Sequence, residues 1–106
     1  MRTFLICDLK LKDGTMYQNG SMFNVVPSAT NPNSGADCTD DKGRTVKLRY
    51  TSLPHYFADF VSTTIEELED EVMDCGSSTT PTGASTEPDG HDGYGFPSWL
   101  IIYGFI

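Results

Sequence analysis

Six carboxylates crowd one short stretch of this chain: Glu66, Glu67, Glu69, Asp70, Glu71 and Asp74. On a helix, with about 100° between residues, Glu67, Asp70, Glu71 and Asp74 fall along one stripe, and Glu66 and Glu69 lie beside it. The pairs Glu66–Asp70, Glu67–Glu71 and Asp70–Asp74 set like charges four residues apart, and each such pair costs a helix about 0.2–0.5 kcal/mol. Glu71 and Asp74 also stand toward the C-terminal end, where the macrodipole favours a cation. At about 1.5 Å rise per residue the stripe carries roughly one charge per 3 Å. One DNA strand presents a phosphate about every 3.4 Å. A stripe of this density can sit where a nucleic-acid backbone normally sits on another protein. The plainer reading of the same residues is a solvated face that keeps a small protein soluble.

Other groupings carry less. Asp89, His91 and Asp92 stand together in Pro88–Gly93, but the alternating carboxylates and closing Glu of a calcium loop are missing, and a transition metal needs ligands from elsewhere. Asp37, Asp40 and Asp41 lie in a stretch of Asx residues that usually makes local turns. Cys7, Cys38 and Cys75 are odd in number, widely spaced and without a Cys-x-x-Cys pair, so three reduced thiols are expected and no structural zinc. Cys7 is expected inert in the core, Cys38 exposed without a base, and Cys75 among acids with a raised pKa. No Gly-x-Ser-x-Gly elbow and no phosphate-cradling glycine loop occurs. The sequence therefore predicts no catalytic residue, no metal and no cofactor.

Charge then narrows the partners. All seven cations (Arg2, Lys10, Lys12, Lys42, Arg44, Lys47, Arg49) precede position 50, where five acids leave that half at +2; the remaining residues hold ten acids and no cation, −10. Such a pole repels nucleic acid and anionic membrane and attracts cationic surfaces. The basic face around Lys47 and Arg49, with Lys10 and Lys12, is too small on a −8 chain to predict nucleic-acid binding. No apolar run approaches a membrane span, and the N-terminus lacks the pattern of a signal peptide, so a cytoplasmic protein is expected.

The elements that must hold these residues read as one α+β domain over 1–106. The expectation is an antiparallel sheet of four to five strands packed on one or two helices, with two long polar loops. Residues 3–12 alternate, with Thr3, Leu5, Cys7, Leu9 and Leu11 on one face. Asp13-Gly14 signals a tight hairpin into Thr15–Gln18. Asn19-Gly20 is a second turn, or a bulge, before Ser21–Val26. Residues 28–43 read as a long loop, their aliphatic content limited to Ala. Residues 44–50 alternate again as a strand, with Val46, Leu48 and Tyr50 inward. Residues 53–61 read as a short helix or irregular packed segment. Ile65 to Cys75 is the best helix, capped by Thr63 or Thr64, with Ile65, Leu68 and Val72 on one face. Residues 77–95 read as a linker-like loop, and 96–106 as a buried C-terminal apolar strand.

Together these features predict a small acidic protein-binding module: an inhibitor or DNA-mimicking decoy, of the anti-defence type a virus or mobile element would need. Its partner is expected to be a protein with a basic, nucleic-acid-binding groove, docked through Glu66, Glu67, Glu69, Asp70, Glu71 and Asp74. The alternatives are an assembly protein forming homo-oligomers through its apolar C-terminus, and a small metal protein or enzyme built on loops 28–43 and 77–95.

Overall fold

Alternation of small and large apolar residues builds the central layer. In the computed structural model, which describes residues 1–74 and 76–105, four strands form one antiparallel sheet: β1 (Arg2–Phe4), β4 (Met22–Pro27), β5 (Gly35–Asp40) and β6 (Thr45–Arg49), in the order β1-β4-β5-β6. Its inward rows set Thr3 opposite Phe23, Val25 opposite Cys38 and Cys38 opposite Val46, and all five are buried. Between β1 and β4 runs the short hairpin β2 (Leu9–Lys10) and β3 (Met16–Tyr17), paired as the Asp13-Gly14 signal predicts. Gly20 turns separately at φ +91°, so the Asn19-Gly20 step is a turn between two strands and not a bulge. The outer edge of β1 is covered by the chain after α1 (Leu53–Tyr56): Ile6 N–H bonds Tyr56 O at 2.9 Å and Ala58 N–H bonds Phe4 O at 3.2 Å.

Three expectations are corrected. Residues 28–43 are not a long loop, because β5 lies within them as an inner strand of the sheet. Its inward side chains are only Ala36 and Cys38, so it adds little apolar mass while filling a thin place between β4 and β6. A Cβ on Gly35 would stand 2.8 Å from Leu48 O, so close strand approach demands glycine there. Cys38 is accordingly buried, not exposed, and burial pushes its thiol up to about 12. Second, the expected strand 96–106, of which Ile106 lies outside the described residues, is not a strand over 96–105: Trp99–Ile102 is the short helix α3. Ser98 caps it, accepting Ile101 N–H at 3.3 Å. Gly104 at φ +77° ends it, with Phe105 N–H on Leu100 O and Gly104 N–H on Ile101 O, the paired bonds of a Schellman stop. Third, 77–95 is no linker. It carries the hairpin β7 (Ser78–Thr79) and β8 (Ser85–Thr86), and Ser78, Thr80 and Pro81 are buried.

One turn recurs four times. At Leu11–Thr15, Asp40–Arg44, Thr80–Ala84 and Asp92–Phe96 the first N–H bonds the fifth carbonyl at 2.8–3.0 Å, and the fourth residue is a glycine donating to the first carbonyl. Those glycines (14, 43, 83, 95) sit at φ +83° to +92°, as a type I turn with a glycine bulge requires. The core joins all the layers through edge-to-face rings. Tyr17, Phe23, Phe57, Phe60, Phe96 and Tyr50 follow one another at centroid distances of 5.0–6.3 Å.

Candidate acidic interface

Helix α2 (Ile65–Asp74) begins where predicted. Thr64 Oγ1 accepts Glu67 N–H at 3.2 Å, and Thr63 Oγ1 donates to Glu67 Oε2 at 3.2 Å. The helix therefore starts with two acids, Glu66 and Glu67, in the turn where the dipole welcomes them. The expected end at Cys75 lies outside the described residues, as do the Cys75 thiol and the side chain of Asp74.

The helix is rotated relative to the sequence expectation. Leu68 is 3% exposed, but Ile65 is 74%, Val72 42% and Met73 85% exposed. The inward pair is Leu68 with Glu71. Glu71 Oε2 accepts Ser78 Oγ at 2.8 Å, and Oε1 accepts Thr79 Oγ1 at 2.9 Å and Thr79 N–H at 3.2 Å. A carboxylate thus docks the helix on β7 where an aliphatic side chain was expected. The cause is the partner surface: β7 offers hydroxyls and a free N–H, which a carboxylate satisfies and a Val cannot.

Of the predicted interface residues, Glu66, Glu67, Glu69 and Asp70 are exposed, and Glu71 is half-buried in its internal bonds. The structure brings Glu67, Asp70 and Glu71 to one groove of about 420 Å³, bordered by Val61, Thr79, Thr80 and Trp99. Among the described residues the ion pairs are Arg2–Asp41 and Arg44–Asp13, and neither reaches α2. Among the described side chains of α2, no acid is paired with one of the early cations. Trp99 and the Thr79–Thr80 wall were missed in the sequence. Their signal was the density of hydroxyls after an acidic helix, which is a hydrogen-bonding complement.

The other sequence candidates disperse. Asp92 holds its own neighbourhood: Oδ2 accepts the Thr80 and Thr82 hydroxyls at 2.7 Å each, and Oδ1 accepts Tyr94 N–H at 2.9 Å and Phe96 N–H at 3.0 Å. Asp89 and His91 are exposed. Asp40 does for its turn what Asp92 does for its own: Oδ1 accepts Lys42 and Arg44 N–H at 2.9 Å each, and Oδ2 accepts the Tyr17 hydroxyl at 2.7 Å. The Tyr17 bond holds the Asp40 carboxyl below its usual range and raises the Tyr17 phenol. Asp41 pairs with Arg2. Among the described residues no three His, Cys, Asp or Glu side chains gather as a metal centre. Cys7 is half-buried, with Sγ 3.6 Å from His55 O.

In comparisons with known proteins, no family model matches this chain, and no curated protein or solved structure matches it either.

Proposed function

We propose that this chain is a protein-binding module that presents α2 to a basic surface of a partner protein. It acts as an inhibitor or decoy in a groove that otherwise holds nucleic acid, of the kind a virus or mobile element directs against a defence enzyme in the cytoplasm. The observation that carries this reading is the dress of the helix. Glu66, Glu67, Glu69 and Asp70 are exposed and outside the ion pairs found among the described residues, and exposed Ile65 and Met73 stand among them. Ile65 and Met73 lie on the same outward side of α2 as the acids, so the face is mixed and not uniformly charged. A docking face uses both, the acids for steering and register, the apolar residues for buried contact. The internal bonds of Glu71 remove it from the contact set and give it a positioning role.

The test is reversal of the exposed acids only. Glu67→Lys, Glu69→Lys and Asp70→Lys together lower affinity for the captured partner by about 100-fold or more, and wild-type binding weakens steeply from low to high salt. Unchanged affinity rejects the proposal. The competing reading, homo-oligomers through the apolar C-terminus, has less left to use: Phe96, Trp99 and Leu100 are buried in the core, leaving Tyr103 and Phe105 outside. Sedimentation over a range of concentrations separates the two, since a discrete oligomer favours assembly.

A further inference from the structure

An open cleft of about 610 Å³ lies toward the basic side of the charge distribution, where the loop after β4 meets β6 and α3. Among the described residues its lining includes Lys47 and Arg49 and no carboxylate, on a chain with fifteen acids and seven cations. The two cations alternate on β6 and so project from the same face. Neither belongs to an ion pair among the described residues. Lys47 has a carboxylate opposite it in register, Asp37, yet its Nζ reaches toward the loop and lies 3.5 Å from Thr30 Oγ1. Asp37 Oδ1 is left buried without a hydrogen-bond partner. With Arg49 two residues along the same strand face, two cations stand against the one acid, Asp37, at this end of the sheet.

The wall facing it is built, not slack. Ser28 is buried, and its Oγ accepts Thr30 N–H at 3.4 Å and Asn31 N–H at 3.3 Å. The Tyr50 hydroxyl donates to Pro32 O at 2.6 Å, and Ser34 and Gly35 N–H both bond Asn31 O. These bonds fix Thr30, Asn31 and Ser34 around the opening. Across from them stand Ile102 and Tyr103 of the α3 end.

We propose that this cavity binds a small phosphomonoester on a hydroxylated ring, such as a sugar phosphate or a mononucleotide. Lys47 and Arg49 take the dianion, the guanidinium through two parallel bonds. Asn31, Ser34 and Thr51 meet the ring hydroxyls, and Tyr103 with Ile102 covers the ring face. The volume falls in the range of about 300–1,000 Å³ of small-ligand sites and exceeds what inorganic phosphate fills. This site is independent of α2 and stands whether or not the helix docks a partner.

The experiment is a titration followed by amide chemical shifts, using ribose 5-phosphate, adenosine monophosphate, ribose and inorganic phosphate. Saturable shifts at residues 28–35, 47–51 and 102–103 are expected with the two phosphomonoesters and not with ribose. Lys47→Gln and Arg49→Gln each weaken binding by about tenfold or more. Lys10→Gln, a cation outside the cavity, leaves it unchanged. Both cavity cations are exposed, and the dispersion of the same spectra reports that the fold is kept. Absence of saturation by either phosphomonoester, equal loss in the Lys10 variant, or inorganic phosphate binding as tightly as the sugar phosphate overturns the assignment.

Discussion

Two pairs of turns in this molecule share one backbone and differ in what closes them. The turns at 11–15 and 40–44 are joined through Asp40, which takes the Tyr17 hydroxyl, and through Arg44, which bonds Asp13 and Thr15. The turns at 80–84 and 92–96 are joined through Asp92, which takes the Thr80 and Thr82 hydroxyls, with no cation present in that half of the chain. The aspartate device is the same in both pairs, a carboxylate satisfied by hydroxyl and N–H donors, and the first pair adds a guanidinium on a second acid, Asp13. This is how the C-terminal half folds while keeping its negative charge. Glu71 on Ser78 and Thr79 repeats the solution at α2. The charge of the exposed acids is then not needed by the fold.

The comparison can be broken at its joints. The largest effect is expected at Phe60, whose ring touches Phe57 on one side and Phe96 on the other and so links the sheet to the C-terminal segment. Phe60→Ala costs about 3–5 kcal/mol in urea unfolding, and a loss under 1 kcal/mol would mean that the two regions fold without that contact. Next comes Asp92→Ala, which strands two hydroxyls and two N–H groups and costs about 3 kcal/mol. Asp40→Ala lowers the melting temperature less, since water reaches the groups it frees. The reverse order would show that the burial of the freed donors does not set the cost.

Glu71→Ala costs about 1–2 kcal/mol and raises hydrogen exchange along α2. Glu69→Ala stays within about 0.5 kcal/mol, as an exposed acid should. Equal effects would erase the distinction between the positioning acid and the presented ones. The smallest effect is acid-dependent and confined to the N-terminal pair. Thr15 N–H and hydroxyl bonds, then Arg44, lower Asp13 to about 2. A carboxyl held below its unfolded value adds stability that is fully present above about pH 4 and is lost as pH falls toward 2. Urea midpoints of the wild type should drop through that window, and Arg44→Ala should drop less steeply, because the Thr15 bonds remain. Identical acid slopes would remove Arg44 from the linkage.

What the sequence made legible follows from apolar mass. The strands with Leu, Phe and Val at inward positions, the Asp13-Gly14 hairpin and the capped helix α2 all carry periodic or capping signals. β5 alternates too, but with Ala36 and Cys38 inward its pattern was lost among Asn, Asp and Gly. α3 failed for the opposite reason: Trp99 to Ile102 is apolar without interruption, so no period shows, although Ser98 and Gly104 mark both its ends. Rotation of α2 does not show in the helix's own periodicity. It depends on the hydroxyls of Ser78 and Thr79, whose place in space no local pattern encodes. The carboxylate stripe was legible as a cluster, but which acid faces inward was not.

The most direct test places a photo-crosslinking residue at Met73, on the presented side of α2, and at Thr39 on β5, in the cell that makes the protein. One discrete adduct with a basic protein is expected from position 73, absent from position 39 and lost when Glu67, Glu69 and Asp70 are reversed to Lys. No adduct at 73, or the same adducts at both positions regardless of charge, would contradict docking through α2.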